Sequence, residues 1–445
     1  MATETPNELS LAESARLVAA GELSSTELVA ACLDRIAARE EDVQAWASLD
    51  PEHAMAQARA CDAARAGGPL HGVPVGIKDV LDTADLPTEM GSPIYKGNRT
   101  LSDSSAVAML RAAGAVILGK TVTCEFAGVA PGPTRNPLDL ARTPGGSSSG
   151  SGAAVADRMV PMALGTQTGG SVLRPASFCG VVGFKPTYNT INRAGLKFAA
   201  ENLDTIGFIA RSVEDVALSL RVLTQRADPP GSAGPARPRI GLCRTYLWEK
   251  AEPETRAALD HAAAAAAAAG AEIVEFELPA SFAGLTEARE TINNVERARS
   301  LAWEWANHRA AISVRMARSI ELGQAISGET YHATLQFADT CRLALDGLME
   351  GFDALIAPAV NGEAPVGLAY AGDPSFQGLW TLLHVPAITV PALRGSNGMP
   401  VGVQLVARRY ADEALLRTAG WLVEVAGLDG RKAMADAASP GRVPA

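Results

Sequence analysis

Twice in this chain a helical pattern runs directly into a continuous apolar stretch, and that order restricts the fold more than any other feature. Ser104 to Ala113 has helical spacing and is closed by Gly114, after which Ala115 to Gly119 reads as a buried strand. The succession recurs at Gly150 to Met159 and Val160 to Leu164. Helix and buried strand in alternation predict an α/β fold around a largely parallel or mixed sheet, with function on the loops at strand ends. Upstream, Val73, Val75 and Ile77 alternate with Pro74, Gly76 and Lys78, a strand period that puts Lys78 on the face opposite the aliphatics.

The remaining pattern is consistent with this class. Ser24 to Glu27 is a capping box ahead of Leu28, Cys32, Leu33 and Ile36 at helical spacing. The proline-rich segment Asp228 to Pro238 predicts a surface crossing. Arg239 to Cys243 and Glu272 to Leu278 read as strands around an alanine-rich helix, Thr255 to Ala269. Residues 280–350 read as helical and bulky, and strand signals return at Leu355 to Pro358 and Val401 to Val406.

Charge and spacing exclude several functions. A net charge of −10 and no run of Lys and Arg argue against nucleic acid and anionic membrane surfaces. The apolar run Ala262 to Ala269 is far short of the roughly 20 residues of a membrane helix. The first residues lack the pattern of a secretory signal, so the expected compartment is the cytoplasm. Cys32, Cys61, Cys124, Cys179, Cys243 and Cys341 are too dispersed for a zinc or redox motif, and the six histidines form no metal-binding pair. Neither a metal nor a cofactor is expected.

Chemistry concentrates in residues 144–171, where two glycine-serine turns flank a helix and a strand. Gly165 to Ser171 nearly matches a phosphate-binding loop, but Ser171 stands where the lysine must be. Gly146 to Gly150 matches GxSxG with Ser148 as nucleophile, yet the loop Asn136 to Pro144 precedes it where that elbow requires a strand. One reading uses Lys78, Ser147 and Ser171 together. Its pieces are His71-Gly-Val-Pro-Val-Gly-Ile-Lys-Asp79, Gly132-Pro-Thr-Arg-Asn-Pro137, Pro144-Gly-Gly-Ser-Ser148, Gly165-Thr-Gln-Thr-Gly-Gly-Ser171 and Cys179-Gly-Val-Val-Gly-Phe-Lys-Pro-Thr187. Pro386 to Pro391 and Pro400 to Leu405 follow.

In these motifs and their order the chain resembles the amidase signature family. The resemblance implies one domain over 1–445, with a signature core at 67–225, a segment bearing a helical cap at 239–350 and a return to the sheet at 351–430. The implied sheet is central, mixed, mostly parallel and twisted, with helices on both sides. It also implies a Ser-cisSer-Lys site: Ser171 as nucleophile, Ser147 as relay behind a cis peptide, and Lys78 as base. Independently of the name, a serine hydroxyl needs a nearby base, and no histidine here stands in a matching motif. A lysine serves at neutral pH only if its surroundings lower its pKa from about 10.4.

The turn Thr168-Gly169-Gly170-Ser171 is expected to aim amides at the substrate carbonyl oxygen, where losing one such donor raises the barrier by on the order of 3 kcal/mol. Phe126, Ala127 and Gly128, with Trp380, Thr381 and His384, are the expected substrate pocket. Three positions depart from the family pattern: Gln167 replaces an aspartate, Leu173 an arginine, with Arg174 one place later, and Ser149 a glycine. A charge pair lost as a unit would leave no orphan charge behind.

The expected activity is cleavage of a small, aryl or alkyl amide through a Ser171 acyl-enzyme, releasing ammonia or amine. Alternatives are a carbamate (urethane) or ester hydrolase with the same residues, the glutaminase component of a tRNA-dependent amidotransferase, and a catalytically silent binding protein. The apolar Trp380 to Pro386 segment and the absence of a basic run count against the glutaminase component. The expected partner is a small amide or carbamate, with a homodimer left open.

Overall fold

The computed structural model describes residues 5–64, 67–225 and 237–427. Eleven strands among them form one sheet. In chain order they are β1 (Trp46–Leu49), β2 (Pro74–Lys78), β3 (Val116–Thr121), β4 (Met162–Gln167), β5 (Val182–Lys185), β6 (Thr205–Ala210), β7 (Arg239–Leu242), β8 (Glu272–Glu275), β9 (Ala354–Pro358), β10 (Ala387–Arg394) and β11 (Pro400–Val406). Their spatial order is β1-β3-β2-β4-β6-β5-β10-β11-β9-β7-β8.

The sheet is mixed, as expected, but it is not mostly parallel. Four neighbouring pairs are parallel, β2–β3, β2–β4, β7–β8 and β7–β9. Six are antiparallel, with β6, β5, β10 and β11 forming the antiparallel middle. The hairpin β10–β11 explains part of the difference. Its turn is closed by the Gly398 amide on the Gly395 carbonyl at 3.0 Å and requires φ +78° at Gly398. An apolar run reads alike in either direction, so periodicity could not assign these strands.

Every position of β2, β3, β4, β5, β6, β9 and β11 is buried, so both faces of the sheet are covered. The expected helices form at Ser25–Val43, behind the Ser24/Glu27 capping box, and at Ser105–Ala112, Ser149–Ala156 and Pro253–Ala268. The bulky region resolves into helices Leu285–Ser300, Ala302–His308, Val314–Ala325 and Gly328–Leu348. Phe282, Leu285, Ile292 and Leu345 join Leu379, Trp380 and Leu382 of the helix Ser375–Leu382 in a second apolar core. Of the expected surface crossing, residues 228–236 lie outside the described residues. Among the described residues no helix is long and apolar enough to cross a membrane, and no cluster of His, Cys, Asp and Glu could hold a metal ion.

Beside the site, Lys120 of β3 is fully buried. Its Nζ donates to Thr88 Oγ1 at 2.6 Å and pairs with Asp79 at 3.2 Å, while Asp79 accepts from the Glu89 amide. Removing one member of such a pair strands a buried charge, so Asp79→Ala is expected to lower unfolding free energy by about 3–5 kcal/mol, read by chemical denaturation. A change below about 1 kcal/mol would contradict the ion-pair account.

Candidate active site

Lys78 ends β2, and the strand alternation that faces it away from Ile77 carries its amine toward β4 and the loop before Ser149–Ala156. Its Nζ donates to Ser147 Oγ at 2.8 Å, to Thr166 Oγ1 at 2.8 Å and to the Thr166 carbonyl at 3.3 Å. Burial is the main reason its pKa falls from 10.5 to about 7, with Asp204 pulling it up and the Arg174 charge pushing it down. An amine in that range can give and take a proton near neutrality.

Ser147 is 1% exposed and follows a cis peptide from Gly146. Its carbonyl accepts from the Cys124 amide at 3.0 Å, which ties the Glu125–Ala127 segment to the site. The neighbouring Ser148, which would be the nucleophile of a GxSxG elbow, is fully buried, and its hydroxyl lies 3.3 Å from both the amide and the carbonyl oxygen of Thr166. It joins a loop to a strand.

Ser171 is 6% exposed, and its hydroxyl has no hydrogen-bond partner among the described residues. No hydrogen bond joins it to the Ser147 hydroxyl; the two loops are tied instead by the Ser148 amide to the Ser171 carbonyl at 3.3 Å. The amides of Gly169, Gly170 and Ser171 likewise donate to no protein acceptor among the described residues. Three undirected donors beside a free hydroxyl can receive a developing oxyanion.

The turn is held from three sides. Thr168 Oγ1 donates to Asp204, whose second oxygen accepts from the Ala199 and Ala200 amides at 2.6 and 3.1 Å. Thr381 Oγ1 donates to the Gly169 carbonyl at 2.7 Å. Gln167 Oε1 accepts from the Val172 and Leu173 amides at 2.9 and 3.1 Å, and its Nε2 donates to Thr381 Oγ1 at 3.0 Å. Gln167 thus holds the turn without the charge of an aspartate. At Gly170 a Cβ would stand 2.8 Å from Gln377 Cδ, so only glycine admits that side chain so close.

The expected pocket residues have mixed placements. Phe126 and Ala127 are buried with φ of 47° and 54°, and Gly128 follows beside them. Thr381 reaches the turn as a positioning group. Trp380 belongs to the second apolar core, and His384 stacks on Tyr188 with its Nε2 2.7 Å from the Asn202 carbonyl oxygen and 2.9 Å from Arg342 Nη2, while burial and the Arg342 charge depress its pKa and hold it neutral. Ser149 donates to the Val122 carbonyl at 3.3 Å. Gln167 and Leu173 leave no charge at their positions, but Arg174 enters the site from the next position with no carboxylate in salt-bridge range among the described residues. Sequence reading missed Thr166 and Asp204: Thr166 meets Lys78 only because β2 and β4 pair, and Asp204 comes from a distant segment without a local signature.

The chain matches a family model described as Amidase over residues 27–416. It is 37% identical to the A component of a glutamyl-tRNA(Gln) amidotransferase from Roseiflexus castenholzii, over 92% of this chain and 94% of that one. A solved structure from a vestigial protein complex, bearing on the origins of an s-triazine catabolic enzyme, superposes with a TM-score of 0.86 at 30% identity, covering 94% of this chain and 98% of the other. A solved amidase superposes at 0.85 and 31%, covering 93% and 99%.

Proposed function

The chain belongs to the amidase family, and from that premise we propose that it hydrolyses a carboxamide through an acyl-enzyme on Ser171. In this reading the Ser171 hydroxyl attacks the carbonyl carbon and its proton passes to Ser147, whose own proton passes to Lys78. The oxyanion takes hydrogen bonds from the amides of Gly169, Gly170 and Ser171. Collapse of the intermediate breaks the C–N bond as the proton returns through Ser147 to the departing nitrogen, which leaves as ammonia or amine. Water then attacks the ester by the same route in reverse roles. The observation that carries the reading is the 2.8 Å hydrogen bond from the buried Lys78 to Ser147, beside a turn with unengaged amides.

A second reading, that the chain is the glutaminase half of an amidotransferase, is favoured by the amidotransferase relative at 37% identity. The apolar segment Trp380 to Pro386 is a weak argument against it, because Trp380 is core rather than pocket lining. The purified chain alone, assayed for ammonia or amine release from glutamine, small aryl and alkyl amides, urea derivatives and carbamates, separates the two. Turnover by the lone chain is expected. Ammonia release that begins only when the other amidotransferase components are added would establish the second reading instead.

A further inference from the structure

Burial normally obliges an arginine to find acceptors for its donors. Two buried arginines of the second core largely do so: Arg342 donates to the Leu382 carbonyl and Asp339, and Arg297 to Ser319 and Asn293 with only its Nε left over. Two others, both beside the nucleophile turn, spend fewer of their donors. Arg174 is 6% exposed; its Nη2 donates to the Gly146 carbonyl at 2.5 Å, while its Nε and Nη1 have no partner among the described residues. Arg289 is 7% exposed, and its one ion-pair partner among the described residues is Glu290 at 3.4 Å, an exposed residue.

The placement of both groups is specific. The Arg289 guanidinium packs against the turn, since a Cβ on Gly169 would lie 3.5 Å from its Nη1. It also packs on the helix Ser375–Leu382, where a Cβ on Gly378 would lie 2.7 Å from its Nε. Arg174 lies under Gly372, whose Cβ would be 2.9 Å from its Cδ. The segment 372–378 therefore runs past both guanidinium groups. Asp373 is the acidic side chain in that segment, but its carboxylate is committed to Ser375 and to Lys250 at 3.4 Å. Burial foremost, with the Arg289 charge adding to it, holds the pKa of Arg174 below the usual arginine value.

We infer that the amide substrate carries a carboxylate, paired with Arg289 and Arg174 while its carboxamide carbon lies at Ser171. The inference rests on the amidohydrolase reading of the same site. Two planar forks with unspent N–H donors match the geometry of a carboxylate, which can accept two parallel hydrogen bonds from a guanidinium. A neutral amide would bury the like charges without neutralising them, so the site selects against it. Monoamides of dicarboxylic acids and amino acids with a side-chain amide share this chemistry.

The test compares kcat/KM for a homologous series of dicarboxylic acid monoamides, and for glutamine, with the matching neutral diamides. The best carboxylate substrate is expected to exceed its diamide by about 100-fold, mostly through KM. Arg289→Gln should bring that ratio down at least tenfold, and Arg289→Lys should restore part of it. A wild-type ratio near one, or an unchanged ratio in Arg289→Gln, overturns the inference. Preference for glutamine over every monoamide would assign the carboxylate to an amino acid. Calorimetry on Ser171→Ala with the same ligands reads binding without turnover: equal affinity for acid and neutral partner also overturns it. Ser171-independent hydrolysis, or none, would instead refute the amidohydrolase reading and leave the calorimetry to decide the carboxylate.

Discussion

Ser171→Ala is expected to lower kcat/KM for carboxamide hydrolysis by roughly 10⁴-fold or more, the scale seen when a catalytic serine is removed. The fold should not register the change. The Ser171 hydroxyl has no protein partner among the described residues, so its removal leaves no buried donor or acceptor unpaired. The melting temperature should stay within about 2 °C of wild type. Ser148→Ala should behave in the opposite way, because that hydroxyl joins the loop to the backbone of Thr166. It is expected to cost about 1–3 kcal/mol of stability while the nucleophile remains. A loss of turnover confined to Ser148→Ala would return the nucleophile to the GxSxG elbow.

Lys78→Met should separate catalysis from stability still more sharply. Without the amine, Ser147 has nothing to pass a proton to, and kcat/KM should fall roughly 10³–10⁴-fold, at the upper end for a general base acting through a neighbour. Stability should rise. An amine enclosed by β2, β4 and the Ser147 loop is held near 7 by burial, whereas in the unfolded chain it keeps its proton to about 10.5. Between those values the unfolded state binds more protons, so wild-type stability climbs with pH across that window. The methionine variant has no such slope and should melt higher at pH 7, where the wild type bears the full cost of the buried amine. The same pKa sets the pH profile of the wild-type enzyme: activity depends on the uncharged form, so kcat/KM falls as pH drops below about 7 and levels above it. A profile flat through that range, or near wild-type activity in Lys78→Met, would assign the base elsewhere.

What the sequence disclosed about this site follows from how local each feature is. The turn at Thr168 to Ser171 was legible only because several motifs stand together in the order of the amidase signature family, since a glycine-serine run alone is more often a linker, and Lys78 was legible also because strand alternation gives a residue its side. Strands β5 and β6 were not: each is short, each carries a glycine, and both are buried throughout in a way a buried loop could match. Strand direction was equally silent, which is why a parallel majority was expected and an antiparallel middle found. Asp204 and Arg289 were invisible for a different reason. Their roles exist only once the chain has brought a loop before β6 and a helix of the second core against the turn. Arg174 was visible as a residue one place beyond the altered position, but nothing local signalled that burial would leave its Nε and Nη1 without a partner among the described residues.

The central claim is that Ser171 is made nucleophilic by Lys78, and labelling tests it most directly. Treated with a fluorophosphonate and digested, the wild-type protein should yield one adduct, on the peptide containing Ser171. Lys78→Met, folded by circular dichroism, should label at least about 100-fold more slowly. An adduct on Ser147 or Ser148, or equal labelling rates in the two proteins, would contradict the account.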